Sequence, residues 1–188
     1  YFIENQAPGE NKHDRLSPSM SSLILTTHVK DGVELAKKNR LGKPIIDIIR
    51  QHHGSSIIKV FYDKARMLSG PKPVDEERYR YPGPKPKTKE AGVIMLADAI
   101  EAASRALREP TASRIKGLVH KMINQYIAEG QLDECDLTMK DLDKIAACFT
   151  RILCGIYHQR IDYPESVVKE LRGGKKNGSP HTRPAKSG

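Results

Sequence analysis

The chain has 188 residues, 38% hydrophobic and 5% aromatic with no Trp, and carries a formal net charge of +9. That is enough for one domain with a core, and it leans towards packed aliphatic helices rather than a β-sandwich. Cys135, Cys148 and Cys154 are odd in number and form no CxxC, which argues against a disulfide framework or a zinc ribbon and fits a reducing compartment.

No apolar run is long enough to span a bilayer, and no signal peptide is visible. The chain starts at Tyr1-Phe2-Ile3 without an initiator Met, as a piece excised from something longer would. Part of the charge lies in Arg172, Lys175, Lys176, Arg183 and Lys186, with no acid after Glu170. The remaining excess suits a phosphate-bearing ligand or nucleic acid, or simply a soluble surface with a basic tail.

Residues 1–17 are polar and turn-rich, and the spacing predicts a loop. His13-Asp14 is flanked by Lys12 and Arg15 and lies on no apolar stripe, so we read it as a turn. Ser17-Pro18 predicts a helix start, with Ser as the cap and Pro at the first position. That helix should run to about Asn39, with Ile24, His28 and Leu35 on its inner face and Asp31 one turn beyond His28.

After the turn Arg40–Lys43, Ile45, Ile46, Ile48 and Ile49 predict a buried helical stripe. His52 and His53 follow Ile45 and Ile46 by seven residues and continue that stripe until Gly54 ends the helix. Two adjacent inward imidazoles both need partners. A metal ion satisfies both, and a pair of core hydrogen bonds to carbonyls is the other reading.

Ser55 or Ser56 can cap a further helix to about Leu68, presenting Ile57, Ile58, Val60, Phe61, Ala65 and Leu68. From Ser69 to Lys87 the prolines forbid helix. There Arg78, Arg80, Lys85, Lys87 and Lys89 interleave with Tyr79 and Tyr81, which suits either phosphate and base contacts or a solvated loop wrapped over the core.

Thr88 opens a helix to about Arg108 that is apolar nearly all round and therefore central. Its narrow polar stripe is Asp98, Glu101 and Arg105. Glu101 and Arg105 can pair, which leaves Asp98 in need of a cation or a backbone amide. A helix from Pro110-Thr111 to Gly130 leaves His120 on its outer face. A last one opens at the capping box Thr138–Asp141 and runs to about His158, with Leu142, Ile145, Ala146, Phe149, Ile152, Leu153 and Ile156 inward. From Arg172 onward Gly, Lys, Ser and Pro dominate, and disorder is expected. The organisation is thus a loop over 1–17, an all-α helical domain over 18–164 and a basic tail over 165–188.

His28, His52-His53 and Asp98 on such a helical chain resemble the HD-domain metal-dependent phosphohydrolases. Six blocks in order narrow the resemblance: Tyr1–Gln6, His28–Gly32, Gln51–Gly54, Tyr81–Pro86, Thr88–Gly92 and Gly130–Asp136. Together they are similar to the HD domain of the seven-transmembrane HD proteins, over residues 1 to about 164.

The resemblance implies an HD-domain-like helical bundle and a bacterial phosphodiesterase that hydrolyses cyclic di-AMP to pApA with two metals, iron or manganese. It implies His28, His52 and His53 as ligands of one metal, and Asp98 as the last ligand of the other. Arg105, Lys85, Lys87 and Lys89 are candidate phosphate contacts. The implied partner is a cyclic dinucleotide rather than a nucleic-acid polymer. The parent would lie in the bacterial membrane with this chain on the cytoplasmic side and not itself inserted.

In that family the first ligand histidine, the HD dyad and a nearby lysine precede the Tyr1–Gln6 block. We therefore expect the domain to lack its upstream helices, to hold at most one metal and to be inactive or nearly so alone. Two alternatives stand beside this. One is a cyclic di-GMP enzyme, although Gly54-Ser55-Ser56-Ile57 stands where that group carries GYP. The other is a non-catalytic helical module binding nucleotide or nucleic acid through Arg78–Lys89.

Overall fold

The computed structural model describes residues 12–158. The expectations for residues 1–11 and for the basic tail lie outside them. Six α-helices follow in order: α1 (Pro18–Lys38), α2 (Lys43–Gln51), α3 (Lys59–Ser69), α4 (Lys89–Arg105), α5 (Ala112–Ala128) and α6 (Met139–His158). Short 3-10 helices occupy Lys12–Arg15 and Glu76–Tyr79. Among the described residues the sole β feature is an isolated bridge between Ile57 and Arg80. The protein is all-α, as expected. Contacts group Tyr1–Cys154 into one compact unit and Gly155–Gly188 into a second, and the candidate site lies in the first.

The helix starts follow local chemistry. The hydroxyls of Ser17, Thr88 and Thr111 accept from Met20 N, Ala91 N and Arg114 N, which satisfies backbone donors that have no partner inside the helix. At α6, Thr138 Oγ1 accepts from Asp141 N at 3.1 Å, and Asp141 Oδ2 accepts from Thr138 N at 3.1 Å. The shorter Asp thus completes the reciprocal cap.

α1 packs against α2, α3 and the Glu76–Tyr79 turn, while α4 packs against α2 and α5. One cluster joins Val29 of α1, Ile58, Phe61 and Ala65 at α3, and Tyr79 and Tyr81. In α4, Met95, Leu96 and Ile100 are fully buried. Each such side chain stabilises the fold by about 1.5–3 kcal/mol.

Several faces differ from the sequence expectation. The buried face of α1 is Ser21, Ser22, Val29, Val33 and Ala36, whereas Leu35 is 62% exposed. Ile45 is 50% exposed, the other isoleucines of α2 are half-buried, and the fully buried residue there is Gln51. α2 is a short surface helix whose apolar side is shared between two neighbours.

α3 begins at Lys59 without a side-chain cap, because Ser55 and Ser56 are used in a turn and Ile57 in the bridge; Val60 and Leu68 are exposed. α4 is covered on one side only, with Ile94, Glu101 and Ala102 outward. Along α6, Ile152 and Ile156 are exposed, while Leu142, Ala146 and Leu153 are buried. His120 is exposed, as its position off the stripe implies.

His13 corrects the first expectation. It lies in a 3-10 turn but is buried, its ring centroid 5.3 Å from that of Phe61, while Asp14 reaches Lys64 at 3.6 Å. A histidine that sequence assigns to an open turn is therefore packed beside α3.

Candidate metal centre

α2 ends at Gln51, so His52 and His53 sit in the turn that follows it rather than in the helix. That turn still directs both rings to one side, towards His28 on α1. His28 Nε2 lies 3.1 Å from His53 Nε2 and 3.3 Å from His52 Nε2. The three donor atoms all fall within 4.8 Å of one another, and the three residues are half-buried.

The other ring nitrogens decide the tautomers. His28 Nδ1 is 2.5 Å from Leu25 O, and His52 Nδ1 is 2.7 Å from Ile49 O. A carbonyl only accepts, so each of these nitrogens carries the proton and donates. His53 Nδ1 is 3.5 Å from Asp98 Oδ2 and has the same requirement. In the neutral rings every Nε2 then presents a lone pair to the same small volume. Burial above all, then the neighbouring His52 and His28, pushes His53 down to about 3. It is therefore neutral near pH 7.

Three lone pairs facing one another repel unless a cation lies between them. Separations of 3.1 and 3.3 Å suit nitrogens that share one ion at about 2 Å from each. Imidazoles whose far nitrogen is tied to a carbonyl or carboxylate are the usual form of metal-binding histidine. The residues present fit a divalent metal.

Asp98 stands outside the three-nitrogen set. Its side chain is about a third exposed, so it is not the deeply buried carboxylate the stripe implied, and its neighbour is His53. Tyr81 stacks on His53, its ring 4.1 Å away at 25°. Burial first, then the Asp98 charge, holds the Tyr81 hydroxyl protonated far above its ordinary range. Tyr79 and Tyr81 are both core residues, so this loop offers no exposed aromatic for stacking on bases.

Two buried glutamines that sequence reasoning missed hold the histidine turn. Gln51 Oε1 accepts from Lys87 N at 2.9 Å, tying the turn to the proline-rich loop. Gln131 Oε1 accepts from Ser55 N at 3.0 Å, and its Nε2 donates to Ser55 Oγ at 3.2 Å. Gly54 lies between, at φ +53°, where a Cβ would stand 2.6 Å from Gln131 Oε1 and 2.7 Å from Met95 Cε. Gln51 had a sequence signal, since it immediately precedes the histidine pair. Gln131 lies 76 residues from Ser55 and had none beyond its Gly130–Asp136 block.

Three of the four candidate phosphate contacts are paired with carboxylates. Arg105 Nε bonds Glu101 at 2.7 Å, Lys85 is 3.8 Å from Asp133, and Lys89 is 3.0 Å from Asp141. Lys87 is exposed.

The HD domain family model matches residues 7–103. The chain belongs to the HD-domain family. HD domains bind divalent metal, in keeping with the donor set built here.

This HD domain is 46% identical over 169 residues to the cyclic-di-AMP phosphodiesterase PgpH of Bacillus subtilis, covering 90% of the chain and 24% of that protein. It is 46% identical over 165 residues to the protein of the same name in Listeria monocytogenes, covering 88% and 23%. The chain thus spans about a quarter of the length of these curated relatives. The crystal structure of the L. monocytogenes PgpH HD domain in complex with cyclic-di-AMP matches with a TM-score of 0.79 at 44% identity, covering 84% of this chain and 72% of that one. Among the described residues, no helix of this HD domain is long and apolar enough to cross a membrane.

Proposed function

We propose that this HD domain is a metal-dependent phosphodiesterase that hydrolyses cyclic di-AMP to pApA. The observation that carries the proposal is the convergence of three Nε2 lone pairs, each with its Nδ1 anchored. The likeness to proteins named for cyclic di-AMP supports the substrate.

His28, His52 and His53 are assigned to one metal, manganese or iron, and Asp98 to a second. A bound divalent ion supplies Lewis acidity towards a phosphoryl oxygen and acidifies water for attack. The chain's own residues set the stage for that. The Leu25 and Ile49 carbonyls fix the His28 and His52 rings, Asp98 fixes His53, and Tyr81 covers one side and keeps water from it.

Lys85, Lys87, Lys89 and Arg105 are proposed as phosphate contacts. Three of them must exchange a carboxylate for the phosphate. Exposed ion pairs contribute roughly 0–1 kcal/mol, so that exchange costs little.

The three histidines are ligands for one ion, and among the described residues no other cluster of this kind occurs. His13-Asp14 adds nothing to it, being spent against Phe61 and Lys64. We also place the chain on the cytoplasmic side of a membrane-anchored bacterial parent, a reading supported by its resemblance to the seven-transmembrane HD proteins.

Metal analysis tests the core of this. We expect about one Mn or Fe per chain, lost in His52→Ala, and cyclic di-AMP cleavage by the longer parent that the same substitution abolishes. A parent that cleaves cyclic di-AMP equally well with His52→Ala would overturn the assignment.

A further inference from the structure

A groove of about 290 Å³ runs beside α1, and none of the three imidazoles is among the residues that line it. Lys30, Glu34 and Lys37 line it from one side of that helix, Arg50 from the end of α2, and Pro82 from the loop after Tyr81. Val33 forms part of its floor. Positions 30, 33, 34 and 37 recur at helical spacing, so they form one continuous face.

Three cations and one acid leave the groove formally positive. Among the described residues, none of the four charged side chains makes an ion pair or side-chain hydrogen bond with another residue. Lys30 and Lys37 flank Glu34 at four and three residues, yet neither closes on it. Asp47, three residues before Arg50, is held instead by Lys43 at 2.5 Å. The helix thus has the residues to neutralise itself and does not do so. Its size approaches the range of about 300–1,000 Å³ usual for small-molecule pockets. Its walls combine spare cationic donors with the apolar faces of Val33 and Pro82.

We propose that this groove is a phosphate-ester site, sized for a mononucleotide and independent of the metal centre. Arg50 and Lys30 bind the phosphate, the guanidinium in the forked geometry that matches it. Val33 and Pro82 supply the apolar wall for the organic part. Glu34 opposes the charge and limits the affinity. Such a phosphate ester is either the part of a dinucleotide lying away from the three imidazoles or a separate small nucleotide.

The test is calorimetric titration of adenosine 5′-monophosphate into the full chain stripped of metal by chelator. The readout therefore stands or falls apart from the phosphodiesterase proposal. We expect saturable binding that weakens about tenfold in Arg50→Gln and in Lys30→Gln, tightens in Glu34→Gln, and is unchanged in Lys121→Gln and His52→Ala. Tightening in Glu34→Gln keeps the test decisive if a cation variant folds poorly.

No saturable binding overturns the proposal. So does an equal loss in Lys121→Gln, which would mean diffuse charge, or a tenfold loss in His52→Ala, which would put the phosphate at the imidazoles. Given the expected pattern, competition by cyclic di-AMP identifies the groove as holding part of the dinucleotide. Absence of competition identifies a separate nucleotide.

Discussion

At the scale of single residues the protein's chemistry rests on which nitrogen of each histidine is spent. His28 and His52 spend Nδ1 on carbonyls three residues back in the chain. His53 spends it on Asp98, which comes from α4. The first two orientations are built into local structure, but the third depends on a carboxylate 45 residues away. Asp98→Asn keeps the shape and removes the charge. Loss of such a supporting partner lowers metal affinity by about 10- to 100-fold. We expect a fall of that size at the three-histidine centre, measured by competition with a chromogenic chelator. Unchanged affinity would show that Asp98 does not orient His53.

At the scale of elements, the turn from His52 to Ser56 is held by groups distant in sequence. Gly54→Ala meets two obstacles, a positive φ and close approach to Gln131 and Met95. Overpacking of this kind costs about 1–3 kcal/mol. Gln131→Leu leaves the Ser55 N–H without its acceptor, at a cost of roughly 1–3 kcal/mol. Both should lower the denaturant midpoint, and both should weaken metal binding where the protein is still folded. A stability loss without a metal effect would separate the turn from the site.

The cap of α6 gives a pH signature. Bonds from Lys89 first, then from Thr138, lower the Asp141 carboxyl from 3.8 to about 2. A depressed folded-state value stabilises the protein above the unfolded value and is lost as the group protonates. The advantage of wild type over Asp141→Asn should therefore be complete above about pH 4 and fade as pH falls towards 2. Thermal melts of both proteins across that window check the sign.

At the scale of the whole molecule, the centre joins α1, the turn after α2 and α4, so occupancy should be felt globally. A ligand that binds only the folded state stabilises it by about 2.7 kcal/mol at a hundred times its dissociation constant. We expect manganese to raise the melting temperature of wild type and to leave His52→Ala unmoved. Equal shifts in both would mean that the ion binds elsewhere.

The all-helical class, the starts of α1, α4 and α5, the cap of α6 and the exposure of His120 could be read directly from the chain. Those features depend on neighbours within a few residues, through cap hydrogen bonds and turn geometry, and on helical period. The three ligand candidates were legible for a related reason, since imidazoles next to an aliphatic stripe are an anomaly that periodicity exposes. What packs against each helix was decided only in three dimensions. Leu35, Ile45 and Ile152 look like core residues but are half or more exposed, while Gln51, Gln131 and His13 look polar yet are enclosed. Apolar period shows that a face exists, but its coverage depends on where other helices come to rest. The convergence of the three Nε2 atoms, and the placing of Asp98 beside His53, likewise arise from helix packing between segments that no local pattern couples.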